Sequence, residues 1–221
     1  MPDSHSRRGG ARRAAPGAPR RRRSDAPAPR ANHALGQHFL LDEALLQSLT
    51  DAIGIQPDEG VLEIGPGLGG LTVCLARAAR EVVALELDET LFPHLRVALS
   101  NAGIRNVTLV QGDALAYDLA ALTAPLGAGF RLAANLPYYI SAPFFERVLF
   151  CRLPMKSLSV MVQREVADKL TAAPGDELYG LLSVHAAYRC EARISHLVPA
   201  AAFTPPPKVN SAFVHLTFRT E

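Results

Sequence analysis

The sequence has 221 residues, 48% of them hydrophobic, which is enough for one α/β domain with a buried core and excludes a wholly disordered chain. Its three cysteines are widely spaced and form no CxxC pair, and no apolar run approaches the roughly 20 residues of a membrane helix. The net charge of +2 conceals a split, since residues 1–30 carry +7, residues 31–146 carry −8 and residues 147–221 carry +3. We therefore expect a soluble, cytoplasmic protein that binds neither metal nor membrane, with polyanion contacts in its basic parts.

The first 30 residues differ in composition from the rest, being rich in Arg, Ala, Pro, Ser and Gly. They hold too few large apolar side chains to offset the entropy lost on folding, which predicts a disordered tail over 1–30 and one folded domain over 31–221. Three interpretations of the tail stay open: a solvated segment, an arm that contacts RNA, and a targeting leader. Its five prolines disfavour the amphipathic helix of a leader.

From residue 61 onward, strand-like and helix-like segments alternate. In chain order, strands are expected over 61–65, 81–88, 107–114, 130–135 and 158–163, and helices over 71–79, up to about Ser100 and after Ser141. Such alternation is typical of a mostly parallel sheet with helices on both faces. Two further strand-like segments, 191–198 and 211–218, have no helix between them, which predicts a terminal antiparallel hairpin that closes the edge of the sheet.

A glycine-rich turn, GPGLGG over residues 65–70, lies between the first strand and the first helix. Small residues there let a ligand approach the backbone, which makes Gly65 and Gly67 candidate contacts. Glu86 ends the next strand, 21 residues after Gly65, where its carboxylate can accept hydrogen bonds from two ribose hydroxyls. A tight structural turn is the alternative, and the pair fits a nicotinamide-dependent dehydrogenase as well as a methyltransferase.

A second carboxylate favours the methyltransferase. Asp113 follows the third strand, where it can accept a hydrogen bond from an adenine amine. Two carboxylates at successive strand ends can bind the ribose hydroxyls and the adenine amine of one adenosine. Pro66 also removes a backbone N–H that a pyrophosphate would use. Each acid taken alone could also be an ordinary loop residue.

The fourth strand ends in Asn135-Leu136-Pro137-Tyr138, the candidate catalytic run. N6 of adenine is a poor nucleophile because its lone pair is delocalised into the ring. If Asn135 Oδ1 and the Leu136 carbonyl accept its two N–H bonds, the nitrogen is drawn toward tetrahedral geometry and its lone pair can attack a sulfonium methyl. Tyr138 would stack on the flipped base. A structural turn at Pro137 beside core tyrosines is the alternative.

Seven motifs in order resemble those of the ribosomal RNA adenine N6-dimethyltransferase family. They are LGQHFL (35–40), LEIGPGLGGLT (62–72), LELD (85–88), QGDA (111–114), NLPYYIS (135–141), MVQREVADKL (161–170) and FTPPPKVNSAF (203–213). The resemblance covers about residues 32–218 and implies a Rossmann-like, seven-stranded class I methyltransferase fold that uses S-adenosylmethionine. It further implies methyl transfer to N6 of two adjacent adenosines near the 3′ end of small-subunit (16S) rRNA, in ribosome biogenesis.

The resemblance also implies roles for single residues. It places His38 and Leu40 over the cofactor and Gly65 against the methionine side of the cofactor. Glu86 would bind the ribose, and Asp113 with Ala114 would bind the adenine. Asn135 would lie between the cofactor and the target amine. Phe203 resembles a second aromatic residue that sandwiches the target base opposite Tyr138. An apolar anchor for the proline-rich loop is the alternative role of Phe203.

The expected partner is small-subunit rRNA in a pre-30S ribosomal particle, bound by a monomer. Family members normally continue into a small helical domain that grips rRNA, whereas this sequence ends at Glu221, so we expect the catalytic domain without the helical one. Two alternatives stay open: a related 23S rRNA adenine N6-methyltransferase that confers macrolide resistance, and a non-catalytic rRNA-binding assembly factor. Leu136 and the GQHFL form favour the small-subunit branch, and the intact NLPY run argues against a non-catalytic protein.

Overall fold

Two sheets form the strand framework of the domain. The computed structural model describes residues 31–32, 35–151 and 153–219, so the tail predicted over 1–30 lies outside the described residues. Within this part, the main sheet contains β2 (Gly60–Ile64), β3 (Glu81–Glu86), β4 (Val107–Gln111), β5 (Phe130–Asn135), β6 (Met155–Gln163), β7 (Cys190–Val198) and β9 (Ser211–Phe218). A small antiparallel pair is formed by β1 (Phe39–Leu40) and β8 (Phe203–Thr204).

The main sheet has the strand order β4-β3-β2-β5-β6-β9-β7. The five strands from β4 to β6 pair in parallel, while β9 runs antiparallel to both of its neighbours, β6 and β7. The predicted seven-stranded, mostly parallel α/β sheet is therefore confirmed over the described residues. The predicted hairpin of β7 and β9 is also present, and its second strand lies inside the sheet while its first strand forms the edge.

The observed strands of the main sheet begin and end within three residues of the predicted bounds. β5 and β9 coincide with the expected segments residue for residue. β3 ends at Glu86 instead of residue 88 because the Asp88 side chain caps a short 3-10 helix (Glu89–Leu91). β4 stops three residues early, where the Asp113 carboxylate accepts a hydrogen bond from the backbone beyond the strand and turns the chain.

Helices connect the strands. They are α1 (Glu43–Ile53), α2 (Gly70–Ala78), α3 (Phe92–Asn101), α4 (Leu119–Thr123), α5 (Ser141–Phe150), α6 (Arg164–Thr171) and α7 (Leu181–Arg189). α1 has well-defined ends, because the Asp42 carboxylate accepts hydrogen bonds from two N–H groups of the first turn and Gly54 ends the helix with φ at 69°.

Alternate strand residues point into two separate apolar layers, as expected of a sheet covered on both faces. Leu62 of β2 and Leu132 of β5 lie in the layer completed by α4, α5, α6 and α7. Their chain neighbours Val61 and Ala133 lie in the layer completed by α1 and α2. Because both faces are covered, the carboxyl ends of the parallel strands form the edge of the sheet at which a ligand can bind.

A buried charge cluster holds the opposite end of the sheet together. Arg131 of β5 forms an ion pair with Glu59, and their side chains are only 9% and 11% exposed. Arg131 Nη1 also donates to the Ile53 carbonyl at 2.9 Å and to the Ser157 hydroxyl at 3.1 Å. Burial alone would raise the pKa of Glu59, but hydrogen bonds from Arg131 and Lys156 lower it to about 2. The carboxylate therefore stays charged and joins β5 and β6 to the segment that enters β2.

Replacement of one member of this cluster should destabilise the domain. Glu59→Gln leaves the Arg131 guanidinium buried without its counter-charge, which should lower the free energy of unfolding by about 3 kcal/mol at neutral pH. Lys156→Ala removes the exposed partner of the same carboxylate and should cost less than about 1 kcal/mol. Urea unfolding measures both variants, and equal losses would contradict the importance of the buried pair.

Candidate active site

A cleft opens at the edge of the main sheet where β2, β3 and β5 end. Its lining includes ten of the predicted site residues: His38, Leu40, Gly65, Gly67, Glu86, Asn135, Leu136, Pro137, Tyr138 and Phe203. The carboxyl ends of parallel strands lie side by side, which is why residues distant in sequence converge here. The structure thus brings most of the predicted site into one place.

The glycine-rich turn has a backbone that favours glycine. Gly65, Gly67 and Gly69 have φ angles of 71°, 58° and 85°, in the left-handed region. A Cβ atom at Gly65 would lie 3.3 Å from the Asn135 carbonyl oxygen, so the turn passes close to the end of β5. The turn continues into α2 with Gly69 as the capping residue, so the first N–H groups of that helix lack a side-chain cap.

The Glu86 carboxylate is hydrogen-bonded to the same turn. Its Oε2 accepts the Gly67 N–H at 3.0 Å, and its Oε1 accepts the Asp88 N–H at 2.9 Å. Glu86 is 6% exposed, and this burial raises its pKa against the opposing backbone hydrogen bonds from Asp88, Gly67 and Leu87. A carboxylate has about four acceptor sites and these donors use three, so the group can still accept a hydrogen bond from a ligand in the cleft.

A second buried acid lies beneath the turn. Glu63 is on β2, on the face of the sheet covered by α1 and α2, and is 1% exposed. Burial raises its pKa to about 8, with the Thr72 hydroxyl opposing and the charge of Glu86 adding to the shift. At neutral pH Glu63 is therefore mostly a neutral acid.

Residues 36–40, here called the strap, cross the cleft and are held at several points. Gln37 Nε2 donates to Asp88 Oδ2 at 2.8 Å, next to the end of β3. The Nδ1–H of His38 donates to the Pro205 carbonyl at 2.7 Å, on the far side of the cleft. The strap thereby connects β3 to the loop that precedes β9.

The amide of Asn135 is oriented by the strap. Its Nδ2 donates to the His38 carbonyl at 3.2 Å, which leaves Oδ1 free to accept a hydrogen bond from a ligand. Leu136 is buried, and its side chain anchors the run in the core while its backbone follows the end of β5. Asn135 and Leu136 both line the cleft, and the use of their oxygens to hold a target amine stays a prediction.

Tyr138 is half-buried and held from two sides. Its ring lies 5.7 Å from the His38 ring with an interplanar angle of 27°. Its hydroxyl is 2.7 Å from Ser211 Oγ. Sequence reasoning did not find Ser211, since a serine at the start of a strand carries no signal of such a contact.

Phe203 lines the cleft from within the core. It is 3% exposed, pairs with Leu40 through β8 and β1, and belongs to the apolar layer of α1 and α2. This burial supports its role as an anchor for the proline-rich loop. Contact of Phe203 with a target base stays a prediction.

Asp113 and Ala114 lie beyond the cleft lining, past the end of β4. Asp113 is exposed, and its Oδ1 accepts the Leu115 N–H at 2.8 Å, while Ala114 is buried in the core. Their role at an adenine stays a prediction. Apolar residues that sequence reasoning did not single out complete the lining, among them Phe39, Leu46, Met161 and Phe213.

Over the described ranges, no group of three or more His, Cys, Asp or Glu side chains is placed to hold a metal ion. None of the helices in the same ranges has the length and apolar character required to cross a bilayer.

Comparison with known proteins agrees with this architecture. A family model described as "Ribosomal RNA adenine dimethylase" matches residues 28–221. The chain is 44% identical over 189 residues to "Ribosomal RNA small subunit methyltransferase A" of Geobacillus thermodenitrificans, and 43% identical over 188 residues to the protein of that name from Shouchella clausii. Both alignments cover 84% of this chain, but 64% and 63% of the relatives. The chain thus spans just under two thirds of the length of these relatives.

Two solved structures share the fold at similar sequence identity. A dimethyladenosine transferase from Plasmodium falciparum is 30% identical with a TM-score of 0.73, over 82% of this chain and 64% of that one. The 23S rRNA methyltransferase ErmE is 31% identical with a TM-score of 0.71, over 83% of this chain and 70% of that one. The expected class I methyltransferase fold is confirmed.

The buried acid beneath the glycine turn should make stability depend on pH. The folded pKa of Glu63, about 8, lies above the ordinary value of 4.5, so its contribution to stability is complete below pH 4.5 and is lost as pH rises toward 8. Across that window, the advantage of Glu63→Gln over the wild type in free energy of unfolding should grow by up to about 1.4 kcal/mol per pH unit. Denaturant unfolding at several pH values measures this, with Glu81→Gln at the partly exposed start of β3 as the control. Parallel pH profiles for wild type and Glu63→Gln would contradict the prediction.

Proposed function

Since this chain belongs to the ribosomal RNA adenine dimethylase family, we propose that it transfers methyl groups from S-adenosylmethionine to N6 of two adjacent adenosines near the 3′ end of small-subunit rRNA. One observation carries the proposal: the free Oδ1 of Asn135 lies in the same cleft as the glycine-rich turn and the Glu86 carboxylate. Such a cleft can hold an adenosine cofactor and an aromatic amine side by side.

The residues of the cleft suit the cofactor. S-adenosylmethionine supplies a methyl group on a cationic sulfonium, which an amine lone pair can attack. A Cβ atom at Gly65 or Gly67 would press on the Asn135 carbonyl at 3.3 Å or the Phe39 ring at 3.2 Å, so glycine lets the turn pass close to the cleft wall, and Glu86 offers lone pairs to ribose hydroxyls. His38 and Leu40 cover the site from the strap. Asp113 and Ala114, at the end of the neighbouring strand, would receive the adenine.

Asn135 and Tyr138 would hold the target base. Asn135 Oδ1 and the Leu136 carbonyl accept the two N–H bonds of the amine, which favours the tetrahedral nitrogen that forms as the methyl group moves from sulfur to nitrogen. Tyr138 offers a ring face on which the flipped base can stack. The amine becomes acidic once it is methylated, so its proton leaves without a strong side-chain base.

The proposed partner is small-subunit rRNA in a pre-30S particle, met in the cytoplasm by a monomer. Two observations support the substrate: the relatives named as small-subunit methyltransferases, and the net charge of +3 over residues 147–221, which suits a polyanion. A 23S rRNA target is the second candidate, because ErmE matches the fold almost as well as the dimethyladenosine transferase does.

The product of the reaction tests the proposal. We expect the purified chain, given S-adenosylmethionine and undermethylated small subunits, to form paired N6,N6-dimethyladenosines, detected by mass spectrometry of the rRNA. Large subunits treated in parallel should remain unmodified. Methylation of the large subunit alone would support the second candidate, and methylation of neither would contradict both.

Asn135 is the residue whose replacement should affect the reaction most. Asn135→Ala removes the amide acceptor and should lower the rate of methyl transfer at least about a hundredfold, as loss of a preorganised hydrogen-bonding group does in other enzymes. Calorimetry with S-adenosylhomocysteine and thermal unfolding should show that cofactor binding and fold are largely kept. Turnover close to wild type would rule out the proposed role.

A further inference from the structure

We propose that Ser211 is a positioning residue that fixes the ring of Tyr138 for the target base; this inference rests on the function proposed above. The two hydroxyl oxygens are 2.7 Å apart, although the residues are 73 positions apart in sequence. Ser211 is 0% exposed, so Tyr138 gives its hydroxyl a hydrogen-bond partner within the core. Nothing in the motif order of the sequence assigns this serine a task.

Ser211 is a firm anchor because of its place in the sheet. It is the first residue of β9 and pairs with Gln163 of β6 on one side and with Val198 of β7 on the other. The residue before it, Asn210, is tied to both neighbouring segments. Its carbonyl accepts the Arg164 N–H at 3.0 Å, and its side-chain oxygen accepts the Ala200 N–H at 3.0 Å. The hydroxyl of Ser211 therefore has little freedom to move.

Tyr138 itself lies on less rigid structure. It begins a short 3-10 helix (Tyr138–Ile140) after β5, and its ring is only half-buried. The His38 ring, at 5.7 Å between centroids and 27° between planes, contacts the Tyr138 ring on one face only and does not hold its hydroxyl end. A ring attached only through Cβ can tilt and rotate, whereas a ring also held at its hydroxyl keeps one plane. The hydrogen bond to Ser211 provides that second point of attachment.

The chemical state of the phenol is consistent with this task. Burial raises the pKa of Tyr138, so its hydroxyl keeps its proton and can donate to Ser211 or accept from it. Ser211 would not touch the base, the cofactor or the transferred methyl group. Its effect would be confined to the orientation of the base, and hence to the rate of transfer once both ligands are bound.

A double-mutant cycle on methyl transfer to small subunits tests the inference. Ser211→Ala and Tyr138→Phe should each lower kcat roughly tenfold, since each removes the same hydrogen bond. The double variant should be no slower than either single one. The affinity for S-adenosylhomocysteine should be unchanged in all three, and Ser211→Thr, which keeps the hydroxyl, should recover most of the rate. Tyr138→Phe alters no buried strand position, so it provides the kcat test if Ser211→Ala fails to fold.

Ser159→Ala is the matched control. Ser159 is also a fully buried strand serine, hydrogen-bonded to His215 at 2.7 Å and absent from the cleft lining, so its loss should lower stability without lowering kcat. Turnover of Ser211→Ala or Tyr138→Phe within twofold of wild type would overturn the inference, as would losses that multiply to about a hundredfold in the double variant. An inactive wild-type chain would overturn the proposed function and this inference with it, and that result is visible before any variant is made.

Discussion

The parallel register of β3, β2 and β5 is the constraint on which the site depends. Ile64 pairs with Leu85 on one side and with Ala134 on the other, so the next residue of each strand falls at the same level. Those residues are Gly65, Glu86 and Asn135. A shift of one residue in either pairing would turn the side chain of Glu86 or Asn135 to the opposite face of the sheet. The backbone ladder thus fixes the positions of the site residues.

Sequence patterns predicted the features that depend on residues close together in the sequence. Apolar strands and their turns have a local signature, so β5 and β9 were expected at their true bounds, and Glu86 and Asn135 at true strand ends. Features that depend on distant partners were not predictable. The contact of His38 with Pro205 joins residues 167 positions apart, and β1 and β8 are each two residues long, too short for any periodicity. Asp113 lies beyond the cleft lining, where it accepts a hydrogen bond from Leu115 N–H, and its contact with an adenine stays a prediction.

The two acids near the turn are both buried but differ in the backbone donors that offset their burial. Glu63 has no backbone donors aimed at it and is buried completely, so burial decides in favour of the neutral acid. Glu86 is also buried, but N–H groups of Gly67 and Asp88 replace part of its lost hydration. The acidic character of residues 31–146 is therefore not uniform at the cleft. At the end of β3, Glu86 lines the cleft and can accept hydrogen bonds from a ligand, whereas Glu63 is mostly neutral at neutral pH.

The insertion of β9 between β6 and β7 has a consequence for the order in which the domain can fold. Among the described residues, β7 pairs only with β9, and β9 in turn pairs with β6. During synthesis, β2 to β6 can pair as they emerge, while β7 must wait for a strand that follows it in the chain. The anchor of Tyr138 is part of that late strand. The complete geometry of the cleft is therefore acquired only when the sheet closes, and a nascent chain that ends before β9 would carry a turn and a strap without a finished site.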